Sequence, residues 1–503
     1  MIGGMVGNNS SGTTSIRFGV TRDKIIELKT ILSDGSEAVF NKISSKEFLN
    51  KTKGNTLEAK IYKKIYKELS DKRQQQEIHK EFPKPEIHRR NTGYAIDLLL
   101  NSDLFGGTEK EINLAQLLCG SEGTLAFTTE ITVKLDQLAP KENIMVCAHF
   151  NSIQESLEAV VTAMNHKLYN CELMDKIILD CTKNNASQKK NRFFLKDDPQ
   201  AILMLEVASD SMAESERLAQ TLIDDLKQHN FGYHYPILKG SDISKVHDLR
   251  KAGLGLLGNI IGDAKAVACI EDTAVVLEDL PSYIAEFTEM MNSYDQKAVY
   301  YAHAGAGEIH LRPILNLKKK QDVLLFREIT TATAKLVKKY RGSFSGEHGD
   351  GIVRSEFIPL MIGTPNYEVL KRIKTVFDPN NILNPGKIVN SYKMDKDLRY
   401  KPERKEPKIS TFLNFQDQQG ILRLAEKCNG SGDCRKSTEA GGTMCPSYRA
   451  TKDEKDTTRA RANVLRAFLT NSTQQNNSTT KNYKRPLIYV LAAKLVLVNA
   501  LVM

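Results

Sequence analysis

His303 and His310 flank a glycine-bearing turn in YYAHAGAGEIHLRP, residues 300–313. With Ala306-Gly307 as a two-residue hairpin turn, Gly305 faces Glu308, Ala304 faces Ile309, and His303 stands directly opposite His310. Facing residues of an antiparallel pair point to one side, with Cβ atoms about 5 Å apart. Two imidazoles so placed can grip one metal ion. A carboxylate is at hand in SFSGEHGDG, residues 343–351, where Glu347 and His348 lie between glycines. Two His and one carboxylate leave coordination positions open, as a substrate-binding Zn, Mn or Fe site requires. The plainer reading is that these histidines line a strand and hydrogen-bond locally.

Three cysteines crowd together as Cys428-x5-Cys434-x10-Cys445-Pro446. Three Cys with Pro after the last suit an iron–sulfur cluster, although the spacing departs from the C-x2-C-x2-C-x3-C-P run. Zinc competes, because Cys sites of irregular spacing also bind it. Two glycine-rich segments, GGMVGNNSSG (3–12) and GSEGT (120–124), offer the backbone freedom and N–H groups that a pyrophosphate needs. Neither has GxGxxG spacing ahead of a helix, so a Rossmann nicotinamide site is disfavoured. Spacing alone reads each as a tight turn. Arg250, in KVHDLRKAGLGLLG, is the residue type for bidentate carboxylate binding. A surface arginine with no such role is the plain alternative.

The elements that must position these residues are partly readable. Residues 24–40 hold two β-rich runs around Asp34-Gly35, a hairpin signal. Residues 55–82 carry Leu57, Ile61, Ile65 and Leu69 at helical spacing, which predicts one amphipathic helix. Ile131, Val133 and Leu135 alternate as in a strand. Between 141 and 393, strand-like runs (144–150, 201–207, 266–270) mix with helical ones (212–228, 326–340). The pattern predicts an α+β region with helices packed on an antiparallel sheet. Residues 396–408 are charged and Pro-bearing, as a linker is, and 453–469 predict a helix. Residues 471–482 are low-complexity. The apolar stretch 486–503, interrupted by Lys494 and Asn499, is at 18 residues a marginal membrane span. It reads as a tail anchor or as out-of-frame sequence, since codons for 489–499 can be chosen so that a shifted frame gives a ferredoxin-type motif.

The 503 residues suggest about three domains. Hydrophobic residues at 41% and charged ones at 26% are ordinary for a globular protein and exclude collagen-like, mostly disordered and multi-span membrane classes. A net charge of +10, spread along the chain, weakens a nucleic-acid reading. It fits an acidic small substrate or a negatively charged membrane surface. Eight Cys are too few for a disulfide scaffold, and no signal peptide opens the chain, so a reduced cytoplasmic setting is expected.

Taken in order, GGMVGNNSSG, LCGSEGTLAFTTEITVKL, HAGAGEIHLRP, SGEHGDGIVRSEF and FDPNNILNPGKIV resemble the FAD-linked D-2-hydroxyacid dehydrogenases of the vanillyl-alcohol oxidase type. CNGSGDCRKSTEAGGTMCPSY resembles the fused iron–sulfur region of their large bacterial members, the D-lactate or D-2-hydroxyglutarate dehydrogenases. The resemblance implies a partial PCMH-type FAD-binding domain (1–140, with a helical insert 41–95). It also implies a ferredoxin-like antiparallel-sheet substrate domain (141–395, FAD-linked oxidase C-terminal type), a linker (396–415) and a small α-helical 4Fe-4S region (416–470). Gly3, Gly4, Gly7, Asn8, Asn9, Ser10, Ser11, Gly12, Gly120, Ser121, Glu122, Gly123 and Thr124 would touch FAD, with Asn384 near the isoalloxazine. His303, His310 and Glu347 would hold a divalent metal, His348 would be the base, and Arg250 the substrate-carboxylate partner. Cys428, Cys434 and Cys445 would hold the cluster. The implied partners are a small 2-hydroxy acid and an electron acceptor (quinone, cytochrome or other carrier), in the cytoplasm or peripheral to the inner face of the plasma membrane. Family members carry sequence before the position of Met1 and beyond 470, so the chain is expected to be truncated at both ends.

Overall fold

The computed structural model describes residues 1–183, 185–406, 409, 411, 413–437, 439 and 445–471. The Asp34-Gly35 turn joins β1 (Ile25–Ile31) to β2 (Glu37–Ser44), with Gly35 at φ 84° and Leu28 opposite Phe40. β3 (Glu111–Asn113) and β4 (Phe127–Val133) complete an antiparallel sheet in the order β3-β2-β1-β4. Leu28 and Phe40 are buried while Ile26 and Val39 are exposed, the alternation of a sheet with one covered face. Leu135, expected to extend β4, lies beyond it and is exposed.

The stretch 55–82 forms two helices, Leu57–Leu69 and Lys72–Glu81, where the sequence suggested one. Asp71 divides them: its carboxylate accepts the N–H of Arg73 at 2.8 Å and caps the second helix. Ile61, Ile65, Leu69 and Ile78 are all buried, so the apolar period survives the break.

The larger sheet holds β5 (Glu142–Phe150), β6 (Asn170–Asp175), β7 (Ala201–Ser209), β8 (Ile237–Lys239), β9 (Lys265–Ala266), β10 (Ile270–Ala274), β11 (Ala298–His303) and β12 (Glu308–Leu315). Its order is β10-β12-β11-β6-β7-β5-β8, with β9 beside β12. Ile144 faces Val207 and Phe150 faces Ala201 across the central β5–β7 pair, both strands nearly continuous in buried apolar residues. Helices Ile153–Ala163 and Met212–Gln228 pack on β7, each started by a serine (Ser152, Ser211) whose hydroxyl accepts an N–H three residues on. Leu222, Ile223 and Leu226 are buried, each worth roughly 1.5–3 kcal/mol. The antiparallel sheet with packed helices is the α+β architecture expected. The helix predicted over 326–340 runs from Lys320 to Lys339, and that over 453–469 is Thr458–Asn471, preceded by a short turn at Glu454–Asp456.

The chain forms two compact units. The first comprises Met1–Gly253, Ala266–Ile314 and Val323–Arg399 and contains the smaller sheet and nearly all of the larger one. The second comprises Leu254–Lys265, Leu315–Asp322 and the described residues from Tyr400 on. Lys318 binds Asp263 at 2.9 Å, Glu406 at 2.5 Å and Glu426 at 2.7 Å, tying the three stretches of the second unit together. Among the described residues no helix is long and apolar enough to cross a membrane. The tail whose nature was in question, 472–503, lies outside the described residues.

Candidate functional site

The β11–β12 hairpin does not have the two-residue turn that the sequence suggested. Ala304–Ala306 form a 3-10 turn, closed by the Gly307 N–H on the Ala304 carbonyl at 3.0 Å. Gly307 takes φ 68°, and a Cβ there would stand 2.2 Å from the Val275 carbonyl oxygen. The longer turn slips the register by two: His303 faces Glu308, and Tyr301 faces His310. A slip of two keeps every side chain on its original face. His303 and His310 therefore still share a side, their ring centroids 5.2 Å apart.

The loop 343–349 runs across that face. Asp272, fully buried in β10 at φ 80°, accepts the N–H of Glu347 at 2.7 Å and of His348 at 2.8 Å, and the Ser345 hydroxyl at 3.0 Å. Glu347 Oε1 then lies 3.4 Å from His303 Nε2, 3.5 Å from His310 Nε2 and 3.2 Å from His348 Nε2. Ligand atoms of Asp272, His310, Glu347 and His348 all stand within 4.8 Å of one another; His303 reaches this set at Glu347. Asp272 already serves as an acceptor for backbone, so the donors free to converge are imidazoles and the Glu347 carboxylate.

Burial and the neighbouring His303 hold His310 well below the ordinary imidazole value, which leaves it neutral. Among the described residues its buried Nδ1 has no hydrogen-bond partner. Burial opposes charge on His303, yet the Glu172 carboxylate, 2.8 Å from its Nδ1, raises it. Burial would raise Glu347, but His303, His348 and Arg89 carry it below the usual carboxylate range. At metal–ligand lengths of about 2.0–2.2 Å, neighbouring donors stand roughly 3–3.5 Å apart. The spacings of the three imidazole Nε2 atoms around Glu347 Oε1 thus fit a divalent cation, with Glu172 on His303 Nδ1 as the outer carboxylate that orients a ligand imidazole.

The two glycine-rich segments meet. Residues 2–8 are helical (Ile2–Asn8), not the loop expected, although each Gly costs a helix about 1 kcal/mol. The tertiary cause is visible: the Val6 carbonyl accepts the Gly120 N–H at 2.8 Å and the Gly7 carbonyl accepts the Glu122 N–H at 2.9 Å. Among the described residues, Gly3, Gly4, Gly7, Gly12 and Gly123 each have nothing within 4 Å of where a Cβ would stand. Asn8 gives its carbonyl to Asn91 Nδ2 (2.6 Å), and buried Asn9 binds Asn91 and the Arg22 N–H, both at 2.7 Å. Ser10 accepts Thr21 through its carbonyl. Ser121 and Thr124 are buried within their own turn. Asn384 donates to the Glu122 carbonyl at 2.7 Å, and Glu122 itself accepts the Asp350 N–H at 2.7 Å. Ser11 Oγ donates to Glu347 Oε2 at 3.3 Å, so the glycine segments, Asn384 and the histidine cluster form one neighbourhood.

Arg250 is buried, not on the surface. Its guanidinium carbon lies 4.1 Å from the Tyr301 ring centroid, its Nη2 pairs with Glu172 and donates to the Ala302 carbonyl at 3.3 Å, and its Nε has no partner among the described residues. In the second unit, Cys434 and Cys445 are buried and Cys428 is half-buried. Cys445 caps helix Pro446–Thr451, with Arg461 Nη2 at 3.2 Å from its sulfur. Arg459, held up chiefly by Glu454, also feels the thiols of Cys434 and Cys428. Residues 438 and 440–444, between the second and third cysteine, lie outside the described residues.

Arg89, Asp272, Glu172 and Glu308 are site residues that the sequence reading passed over. Glu172 (NCELMD) and Asp272 (CIEDTAV) do carry a signal: a charge inside an apolar strand must be paired or functional. Arg89 has none, sitting beside Arg90 in a stretch without periodicity.

Residues 139–388 match the family model of FAD linked oxidases, C-terminal domain. The chain is 30% identical over 493 residues to a D-2-hydroxyglutarate dehydrogenase of Haemophilus influenzae, covering 95% of this chain and 46% of that protein. It is 29% identical over 478 residues to the Escherichia coli D-2-hydroxyglutarate dehydrogenase, covering 93% of this chain and 46% of that one. A D-lactate dehydrogenase of Archaeoglobus fulgidus is 24% identical over 393 residues, covering 77% of this chain and 69% of that protein. The chain thus spans about half the length of the dehydrogenases it matches over nearly all of its own. Residues 139–388 belong to the FAD-linked oxidase C-terminal family, in a chain homologous to D-2-hydroxyglutarate dehydrogenases.

Proposed function

We propose that the chain oxidises a D-2-hydroxy acid, D-2-hydroxyglutarate or D-lactate, to the 2-oxo acid, using FAD and a divalent metal (Zn, Mn or Fe). A 4Fe-4S cluster held by Cys428, Cys434 and Cys445 would supply the electron path to a quinone, cytochrome or other carrier. The observation that carries this reading is the convergence of three imidazoles and Glu347 beside both glycine-rich segments and Asn384. When bound, the flavin accepts hydride and the metal acidifies the substrate hydroxyl.

The chain supplies position and charge. His303, His310 and Glu347 would hold the metal. The backbone of 3–12 and 120–124 would cradle FAD, with Asn384 at its ring. Arg250, whose Nε lacks a partner among the described residues, would take the substrate carboxylate. His348, its side chain 41% exposed, would receive the hydroxyl proton at a ring nitrogen. Glu347 and Asp272 raise it above the ordinary imidazole value against the effect of burial. Cys428, Cys434 and Cys445 would ligate the cluster.

An absorption spectrum of the purified full chain, followed by dye reduction with each acid, tests the reading. Flavin bands and reduction by either D-2-hydroxy acid support it. A colourless protein inert to both acids sinks it. The second reading, a metal-binding chain without catalysis, is favoured by one observation: the Arg250 guanidinium is already paired with Glu172 and donates to the Ala302 carbonyl. Bound metal with no flavin and no turnover would establish that reading instead.

A further inference from the structure

Arg89 is 1% exposed, and all three of its guanidinium nitrogens are engaged. Nε and Nη2 donate to the Ser15 hydroxyl at 3.0 and 2.7 Å, and Nη2 also donates to the Gly12 carbonyl at 2.5 Å. Nη1 lies between two carboxylates, donating to Glu347 Oε2 at 2.9 Å and pairing with Glu308. Ser11 adds its hydroxyl to the same Oε2 at 3.3 Å. The two oxygens of Glu347 are therefore unequal. Oε2 is taken by Arg89 and Ser11, while Oε1 is the oxygen paired with the three imidazoles.

We infer that Arg89 is a positioning residue that restricts Glu347 to one-oxygen ligation of the cation and locks that carboxylate to the 12–15 turn. The inference rests on the metal reading above. A carboxylate can bind a cation through one oxygen or both, and larger ions with flexible shells accept both more readily. A planar fork fixed at its far side by Ser15 and Gly12 keeps Oε2 out of the shell. Lysine keeps the charge but not the fork, so it cannot hold Ser15 and Glu347 together in this geometry.

The test is metal binding alone, on the full chain at one pH. Mn2+ affinity is read from loss of the free-ion electron paramagnetic resonance signal, and Zn2+ affinity by competition with a chromophoric chelator. Arg89→Lys is expected to weaken Zn2+ by about 10–100-fold, as loss of an outer-shell partner does. Mn2+ should weaken less, so the Zn2+/Mn2+ affinity ratio falls. Ser15→Ala, which leaves the charge in place, should move the ratio the same way by a smaller factor and decides the matter if Arg89→Lys does not fold. A ratio equal to wild type overturns the role of Arg89, whatever the affinities. A His303→Ala, His310→Ala double variant binding both ions like wild type overturns the metal site itself, a separate failure.

Discussion

His348 differs from its two neighbours by access. Its side chain is 41% exposed, against 10% for His303 and 5% for His310. A group that exchanges a proton with solvent needs that access, while ligands need enclosure. For the proposed D-2-hydroxy acid oxidation, His348→Gln is accordingly expected to lower kcat by about 10²–10⁴-fold, with little change in KM or in metal affinity. Steady-state dye reduction measures this, and a change confined to KM would reassign the residue to binding.

Asp175 shows what a buried carboxylate does to stability. Burial pushes it up to about 7, while N–H donors at Tyr300 (2.8 Å) and Ile178 (2.9 Å) pull the other way. A folded-state value above the ordinary 3.8 means that the native protein binds this proton more tightly than the unfolded chain does. Its contribution is full below about pH 4 and is lost as pH rises through about 7, on the order of 4 kcal/mol at roughly 1.4 kcal/mol per unit. Asp175→Asn should flatten that decline in urea unfolding series from pH 4 to 7; a wild-type profile with no decline there contradicts the assignment.

Among elements, the β11–β12 hairpin sets the distance between His303 and His310. Its sequence disclosed the turn and the two histidines but misplaced the register, because Ala304–Ala306 wind into a 3-10 turn that period and composition do not encode. The shared face was nonetheless readable, since strand parity survives an even slip. The helix at 2–8 was unreadable for the opposite reason: its glycines argue against it locally, and the bonds from Gly120 and Glu122 that favour it come from more than a hundred residues away. Gly307 is the sensitive point of the hairpin. At φ 68°, with the Val275 oxygen 2.2 Å from a Cβ position, Gly307→Ala must move backbone. Unfolding by urea should show a loss of about 2 kcal/mol or more, together with weaker Zn2+ binding. Unchanged values on both counts would mean that the turn tolerates displacement and does not set the histidine spacing.

At the scale of the molecule, motifs dispersed from Gly3 to Asn384 gather in the first unit, which the order of motifs along the chain could suggest but not measure. What no pattern in the sequence announced is that the second, cysteine-bearing unit borrows Leu254–Lys265 and Leu315–Asp322 from within the span of the first. Lys318, with Asp263 on one side and Glu406 and Glu426 on the other, is the knot of that arrangement. Limited trypsin digestion near 399–405 should therefore give two fragments on a denaturing gel that still elute together in native gel filtration; separate elution would show that the borrowed stretches do not hold. The same interleaving constrains ancestry. A recombination event that transplanted 400–471 alone would abandon two loops and their charges in the donor, so the cysteine region can be exchanged between genes only along with the loops that complete it.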